Sequence, residues 1–250
     1  MECVVTCNHR FVGLICWMRS YMAIVSCIHS TCAAGKCDPA ASTADASTGC
    51  ACESGFQSVD IPIVFSISLD RSGSVGNEFQ GARNAVADFI VDQASMVRDP
   101  PTQFYVNTFS SNLGARIPTT GPAPDSNDEV SSAVRVTAGP GGNTNMKQAL
   151  IDLRDTMGPV CPDGVFCLAV LITDGVPTAG DETSAGLNLI ADDIKTDVGQ
   201  LAVLGIGSGI NTALLTGLAS KDLYFAGANF SQLGQLLTDL TDEICPLDIV

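Results

Sequence analysis

The sequence predicts an α/β domain with a doubly wound, mostly parallel central sheet flanked by helices, preceded by a cysteine-rich N-terminal segment. Two patterns carry this prediction. Beyond residue 58, apolar runs typical of buried strands alternate with segments whose apolar residues recur at helical spacing. Strands that alternate with helices in this way form parallel sheets, because a parallel connection needs a crossover long enough to hold a helix.

Each predicted strand is a short apolar run. The run at 165–173 is the most hydrophobic of the domain, which predicts a central strand buried on both faces. The other strands are predicted at 61–69, 103–109, 115–119, 200–207 and 223–227. In a sheet of this class, ligands bind at the carboxyl ends of the strands, where loops lead into the helices.

Each predicted helix has one apolar face that can pack against the sheet. The first helix places on that face Phe79, Ala82, Val86, Phe89 and Ile90. Further helices are predicted at 126–136, 145–157, 182–197 and 211–219. The last helix covers about 229–244, and its apolar stripe consists of Phe230, Leu233, Leu237, Leu240 and Ile244.

Composition and charge exclude several function classes. The 250 residues contain 12 Lys plus Arg against 27 Asp plus Glu, which gives a net charge of −15. An acidic surface repels phosphate, so we expect no nucleic-acid binding. The hydrophobic fraction of 46% excludes wholesale disorder. Both histidines, His9 and His29, precede the predicted domain, which therefore has neither a His-based triad nor a His-ligated zinc site.

Residues 1–34 have the layout of a secretory signal peptide. Arg10 precedes an apolar stretch at 11–28, and small residues follow it at 32–35. Arg19 interrupts the apolar stretch, so an uncleaved signal anchor and a wrongly assigned start are the alternatives. We expect a secreted or surface-displayed protein, in contact with a membrane only if this segment stays attached as an anchor.

Residues 35–57 are predicted to be a cysteine-containing linker. Residues 38–49 are small and polar and show no hydrophobic period. The segment CACESGF at 50–56 resembles the end of an epidermal-growth-factor-like module, but the last cysteine of such a module is missing. We therefore expect a remnant of such a module at most.

The chain contains 11 cysteines, and removal of the leader would leave six, an even number that suits a disulfide framework. Two pairings have a physical motive. The first is Cys161 with Cys167, which bracket a Pro-Asp-Gly turn. The second is Cys245, near the end of the domain, with Cys50 or Cys52, just before its start. The alternative for Cys161 or Cys167 is a free thiol buried as a small hydrophobe.

The chain contains one glycosylation sequon, Asn229-Phe230-Ser231. It opens the last predicted helix, so Asn229 is alternatively an exposed helix cap. Such triplets are common by chance, and the sequon alone does not establish export.

Oxygen-bearing side chains follow the predicted strands. Asp70, Ser72 and Ser74 come directly after the first strand of the domain, Thr144 stands in a glycine-rich loop, and Asp174 ends the central strand. Because these loops lie at or beside one edge of the sheet, we expect their side chains to converge. Carboxylates and hydroxyls are hard ligands that suit Mg²⁺, Mn²⁺ or Ca²⁺ rather than zinc or copper.

These residues also carry a family resemblance. DRSGS after a buried strand, GGNTNMKQAL at a helix start and LITDG after a second buried strand resemble the motifs of a von Willebrand factor type A domain. The resemblance covers about residues 58–245, which leaves 246–250 as a short tail. It implies the Rossmann-like type A fold and an intact metal-ion-dependent adhesion site.

The resemblance further implies a role for each ligand and a class of partner. Ser72, Ser74 and Thr144 would contact the metal directly, while Asp70 and Asp174 would act largely through hydroxyls and water. The metal would then bridge to an acidic side chain of a protein or extracellular-matrix partner. In this family, binding can be coupled to a shift of the last helix.

Five residues are expected to rim this metal site. They are candidates for partner selectivity: Arg71, Asn112, Asn143, Val176 and Pro177.

A metal-dependent hydrolase and an intracellular subunit are the alternatives to a binding module. A metal-dependent hydrolase is disfavoured, because the domain has no histidine and its two candidate bases, Asp70 and Asp174, are committed to the metal. We therefore predict no catalytic residue and no enzyme. Gly205, Gly207 and Gly209 do not match the dinucleotide fingerprint. An intracellular type A subunit of a larger assembly is the second alternative, and free thiols would distinguish it from an exported protein.

Overall fold

The computed structural model describes residues 2–8, 11–17, 62–95, 102–118, 127–175, 177–179 and 183–244. The chain divides into two units, one of Met1–Ile61 with Asp242–Val250 and one of Pro62–Thr241. In the first unit, strands β1 (Glu2–Asn8) and β2 (Phe11–Trp17) form an antiparallel hairpin. The rest of the predicted leader, and the predicted linker, lie outside the described residues, so both stay predictions.

A five-stranded parallel sheet forms the centre of the second unit. Its strands are β3 (Ile63–Asp70), β4 (Gln103–Phe109), β5 (Phe166–Thr173), β6 (Gln200–Ile206) and β7 (Tyr224–Gly227). Their order is β4-β3-β5-β6-β7, and all four pairings are parallel. The predicted α/β fold class is confirmed, and β5 is the central strand, as its hydrophobicity indicates.

Six α-helices connect or follow the strands within the described ranges. They are α1 (Phe79–Ser95), α2 (Asn127–Arg135), α3 (Met146–Val160), α4 (Ser184–Asp193), α5 (Thr212–Leu218) and α6 (Leu233–Ile244). One turn of π-helix, Ile194–Val198, continues α4. None of the described helices is both long and apolar enough to cross a membrane.

Helices cover both faces of the sheet, because alternate side chains of each strand point to opposite sides. On one face, α3, α4 and α5 pack against Ala169 and Leu171 of β5 and Leu201 and Val203 of β6. On the other face, Phe65 of β3 stacks on Phe104 of β4, with ring centroids 5.1 Å apart. Phe89 of α1 meets both rings edge-on, which is a favoured arrangement for aromatic side chains.

The predicted apolar faces of the first and last helices are confirmed. The residues predicted to be buried on α1 are all at most 6% exposed. The stripe of the last helix is buried at Phe230, Leu233, Leu237 and Leu240. Phe230 lies in a short 3₁₀ turn, Phe230–Gln232, that precedes α6. The side chain of Ile244 lies outside the described residues.

The strand predicted at 115–119 was wrong. This segment forms a single antiparallel bridge, in which Ile117 and Val106 exchange two backbone hydrogen bonds of 2.7 Å. Pro118 follows directly and has no amide hydrogen to donate, so it interrupts the donor pattern that a longer ladder needs. Residue 119 lies outside the described residues.

The turn between α3 and β5 carries the first of the two predicted cysteine pairs. A disulfide joins Cys161 to Cys167, whose Cα atoms lie 6.0 Å apart. Gly164 adopts a φ of 88° in this turn, a conformation that glycine accepts without steric cost. Cys167 is also buried and packs against Met157, so it contributes to the core as well. The other predicted pairing, of Cys245, lies outside the described residues.

We predict that Leu171→Ala lowers the free energy of unfolding by about 2 to 5 kcal/mol, because it leaves a cavity in the central strand. Leu171 is 0% exposed, whereas Leu189 on α4 is 68% exposed. The matched control Leu189→Ala should change the free energy of unfolding by less than about 0.5 kcal/mol. Urea unfolding of both variants checks the prediction, and equal effects would contradict the described packing.

Candidate metal centre

The backbone joins the loop after β3 to the glycine-rich loop before α3. The amide of Gly73 donates to the carbonyl of Gly142 over 2.9 Å, and the amide of Gly141 donates to the carbonyl of Arg71 over 2.8 Å. Gly141 and Gly142 have φ values of 159° and 85°. The φ of Gly142 is one that L side chains rarely adopt, which explains a glycine at this close approach.

Asp70 lies at the last position of β3, with its carboxylate fully buried. Its Oδ1 accepts a 2.7 Å hydrogen bond from the amide of Ser72, and its Oδ2 accepts a 2.7 Å hydrogen bond from the hydroxyl of Thr173. Burial raises the pKa of Asp70, these hydrogen bonds counteract part of that rise, and the nearby charge of Asp174 adds to it. Asp70 therefore orients Ser72 and Thr173, and these hydrogen bonds offset only part of the cost of burying its negative charge.

A chain of hydroxyl groups leads from Ser72 to Asp174. The Oγ atoms of Ser72 and Ser74 are 3.0 Å apart, and the hydroxyl of Ser74 donates to Oδ1 of Asp174 over 2.9 Å. Burial raises the pKa of Asp174, the hydrogen bond from Ser74 lowers it, and the negative charge of Glu78 raises it further. The residues predicted from two separate motifs thus share one hydrogen-bonded network.

Thr144 is buried, near the end of the glycine-rich loop that leads into α3. A β-carbon placed on Gly175 would lie 3.4 Å from Oγ1 of Thr144, so this hydroxyl lies against the loop that carries Asp174. The backbones of Thr144 and Thr178 are tied together, since the Thr144 amide donates to the Thr178 hydroxyl and the Thr178 amide donates to the Thr144 carbonyl. All five predicted ligands are therefore brought to one edge of the sheet.

Two threonines of this site were missed in the sequence analysis. Thr173 holds Asp70 through its hydroxyl, and Thr178 holds the backbone of Thr144. Thr173 could have been found from the sequence, because it is a polar residue at the end of a strand that is otherwise apolar and buried. Thr178 could not, because it stands in an irregular loop.

The donor set fits a hard divalent cation. None of the described salt bridges involves Asp70 or Asp174, and the guanidinium of Arg71 points instead to the carbonyl of Gly139, 3.4 Å away. Two carboxylates with raised pKa and no cationic partner form a local excess of negative charge, which a cation would offset. The described residues contain no cluster of three or more His, Cys, Asp or Glu side chains, so a metal here would depend on the hydroxyls.

The predicted rim is described in part. Asn112 and Asn143 are exposed, Arg71 and Pro177 are half-buried, and Val176 lies outside the described residues. The amide of Asn143 donates to the hydroxyl of Ser111, so its backbone is fixed while its side chain faces solvent. The role of these residues in partner selectivity stays a prediction.

A cavity of about 190 Å³ lies beside this network, and no sequence pattern pointed to it. The loops after β3, β5, β6 and β7 line it, with Ser74, Glu78 and Asp174 among the lining residues. Oε2 of Glu78 accepts a 2.9 Å hydrogen bond from the amide of Phe230. Glu78 therefore links the β3 loop to the turn that precedes α6.

A family model described as the von Willebrand factor type A domain matches residues 64–239. The chain belongs to this family. The match covers more than half of the chain and includes every predicted metal ligand, so the resemblance inferred from the three motifs is confirmed.

Individual relatives of this type A domain are distant. Inter-alpha-trypsin inhibitor heavy chain H4 of Bos taurus is 28% identical over 162 residues, which is 62% of this chain and 17% of that protein. The chain thus spans less than a fifth of the length of this relative.

Solved structures share the fold of this type A domain. Proximal thread matrix protein 1 of the mussel byssus, in a structure with a zinc-occupied MIDAS motif, is 21% identical at a TM-score of 0.60, covering 74% of this chain and 46% of that one. The manganese-loaded TRAP protein of Plasmodium vivax is 24% identical at a TM-score of 0.55, covering 73% of this chain and 74% of that one. At these identities, the likeness shows the fold alone.

We predict that Asp70→Asn reduces the pH dependence of stability when metal is removed. The folded-state pKa of Asp70 is raised, so the folded chain holds its proton more tightly than the unfolded chain. The free energy of unfolding should therefore fall as the pH rises above the unfolded value of about 4. The variant lacks this component and keeps an oxygen that can accept from Ser72. Thermal unfolding of the wild type and the variant, measured with chelator from acid to neutral pH, checks this difference. The prediction is contradicted if the wild type becomes more stable relative to the variant as the pH rises.

Proposed function

We propose that this type A domain binds a divalent cation through Asp70, Ser72, Ser74, Thr144 and Asp174. The cation would join the domain to an acidic side chain of a protein or extracellular-matrix partner. One observation carries this proposal: two carboxylates with raised pKa are linked through serine hydroxyls, and none of the salt bridges among the described residues gives either of them a cationic partner.

The proposed ligands differ in role. Asp70 already accepts hydrogen bonds on both oxygens, so it acts by holding the backbone of Ser72 and the hydroxyl of Thr173 in place. The hydroxyls of Ser72, Ser74 and Thr144 are then the direct ligands. A bound cation supplies a positive centre that attracts an anionic oxygen. Because the two carboxylates act through hydrogen bonds and not as direct ligands, one coordination position of the cation is left for an oxygen of the partner.

The proposed cation is Mg²⁺, with Mn²⁺ and Ca²⁺ as alternatives. The donors are all oxygen atoms, which these ions prefer. The zinc-occupied and manganese-loaded structures of two type A proteins support a divalent cation in this fold without selecting among these ions. We assign partner selectivity to the rim residues Arg71, Asn112, Asn143, Val176 and Pro177.

The binding proposal is favoured over a metal-dependent hydrolase by the state of the carboxylates. A general base needs an oxygen free to take a proton from water. Both oxygens of Asp70 are engaged by donors of the protein, and Asp174, which accepts from Ser74, is assigned to the cation in this proposal. We therefore assign a binding role and no catalytic residue.

We also propose that the chain is exported, with residues 1–34 as leader, 35–57 as linker, 58–245 as the type A domain and 246–250 as a tail. The Cys161–Cys167 pair supports this proposal, because disulfides persist in oxidising compartments.

We predict that the full chain binds Mg²⁺ and Mn²⁺ in calorimetric titration. Binding should raise the free energy of unfolding by about 2.7 kcal/mol when the free metal concentration is 100 times the dissociation constant of the metal. The variant Asp70→Ala plus Ser72→Ala should bind neither ion, because it loses a direct ligand and the group that orients it. The exposed pair Asp92→Ala plus Ser95→Ala on α1 is a matched control and should bind as the wild type does. A folded wild type that binds neither metal contradicts the proposal.

The acidic-partner part of the proposal has a separate test. Peptides selected from a random displayed library against the Mg²⁺-loaded full chain should share an Asp or Glu and should be released by chelator. Replacing that residue by its amide should reduce binding at least tenfold, because the metal loses an anionic ligand. Selected peptides that bind equally well in chelator would contradict metal bridging while leaving metal binding itself intact.

We predict that a chain purified from its native source has fewer reactive thiols before reduction than after it. The difference should include Cys161 and Cys167, identified by differential alkylation and mass spectrometry. Complete alkylation of both residues without reductant would instead favour the intracellular alternative.

A further inference from the structure

We propose that Asn229 carries an N-linked oligosaccharide that borders the metal site. The attachment itself rests on the proposed export, and only its consequence for partner binding rests on the proposed metal site. It starts from the sequon Asn229-Phe230-Ser231, whose position in the fold the proposed function does not use.

Asn229 is accessible and extended at the point of attachment. It is exposed and lies between β7 and the 3₁₀ turn that precedes α6. Its φ and ψ of −161° and 169° are those of an extended backbone, so the asparagine side chain is not enclosed by a helical turn. Sequons of secreted proteins are modified at such surface positions.

The folded structure leaves the reactive nitrogen of Asn229 outside the local cap. Oδ1 of Asn229 accepts hydrogen bonds from the amide of Ser231, over 3.1 Å, and from the hydroxyl of Ser231. Both bonds use the side-chain oxygen, so substitution on Nδ2 preserves them. The two expectations for this segment, a helix cap and a glycosylation site, are therefore compatible.

The modification is a transfer from a lipid-linked oligosaccharide in the secretory compartment. Nδ2 of Asn229 forms a bond to the anomeric carbon of the sugar, while the bond from that carbon to the diphosphate oxygen breaks. The amide nitrogen loses one proton, and the lipid diphosphate leaves with the electron pair. No oxidant or reductant is required.

The position of Asn229 determines from which side a partner could reach the proposed metal site once the oligosaccharide is attached. Asn229 lines the cavity of about 190 Å³ together with Ser74 and Asp174 of the proposed metal site. None of the described rim residues lines that cavity. An oligosaccharide at Asn229 would shield the cavity side of the metal site, and a partner would approach over Arg71 and Asn143 instead.

The test uses the full chain translated in the presence of microsomal vesicles from the endoplasmic reticulum. Protease protection measures entry into the vesicles, and electrophoretic mobility with and without peptide N-glycosidase measures modification. Ser231→Ala removes the sequon but keeps the Asn229 cap, because the Ser231 amide still donates. Ser231→Thr keeps the sequon and is the matched control.

We expect protected wild type and Ser231→Thr to show one shifted band that the glycosidase removes, converting Asn229 to Asp. Protected Ser231→Ala should show no shift. A protected wild type without a shift, or a shift that persists in Ser231→Ala, overturns the inference. A chain that remains unprotected overturns it together with the proposed export, while the metal titration is unaffected and stays a separate result.

Discussion

The arrangement depends on a negative charge buried at the end of a strand. Asp70 is fully enclosed, and an enclosed carboxylate is costly unless donors or cations compensate for it. Its hydrogen bonds to Ser72 and Thr173 fix the β3 loop and the end of β5 against each other. These bonds offset only part of the cost, since its pKa stays raised. The same buried carboxylate therefore holds the two loops together and would be stabilised further by a bound cation.

The parallel sheet makes this meeting of loops possible. β3 and β5 are neighbours and run in the same direction, so their carboxyl ends lie at one edge although Asp70 and Asp174 are far apart in sequence. The glycine-rich loop reaches the same edge through hydrogen bonds of Gly73 and Gly141. Local sequence supplies the ligand types, and the crossover topology supplies their proximity.

Sequence reasoning predicted the five strands of the central sheet, the apolar helical faces and the convergence of the five proposed ligands, because each leaves a local periodicity or motif. It missed Thr178 and Glu78, whose contacts join residues distant in sequence and follow no spacing rule. It also predicted a strand at 115–119, where Pro118 limits the pairing to one bridge. The errors fall where a tertiary contact or a missing amide hydrogen overrides the local pattern.

That single bridge has a consequence for association between molecules. β4 is the outermost strand of the sheet on its side, and an open outermost strand invites pairing with another chain. The Ile117 segment occupies the backbone groups of Val106, and Pro118 offers no donor to extend the ladder outward. Part of this outermost strand is therefore already paired within the chain, which leaves fewer of its backbone groups open to strand addition.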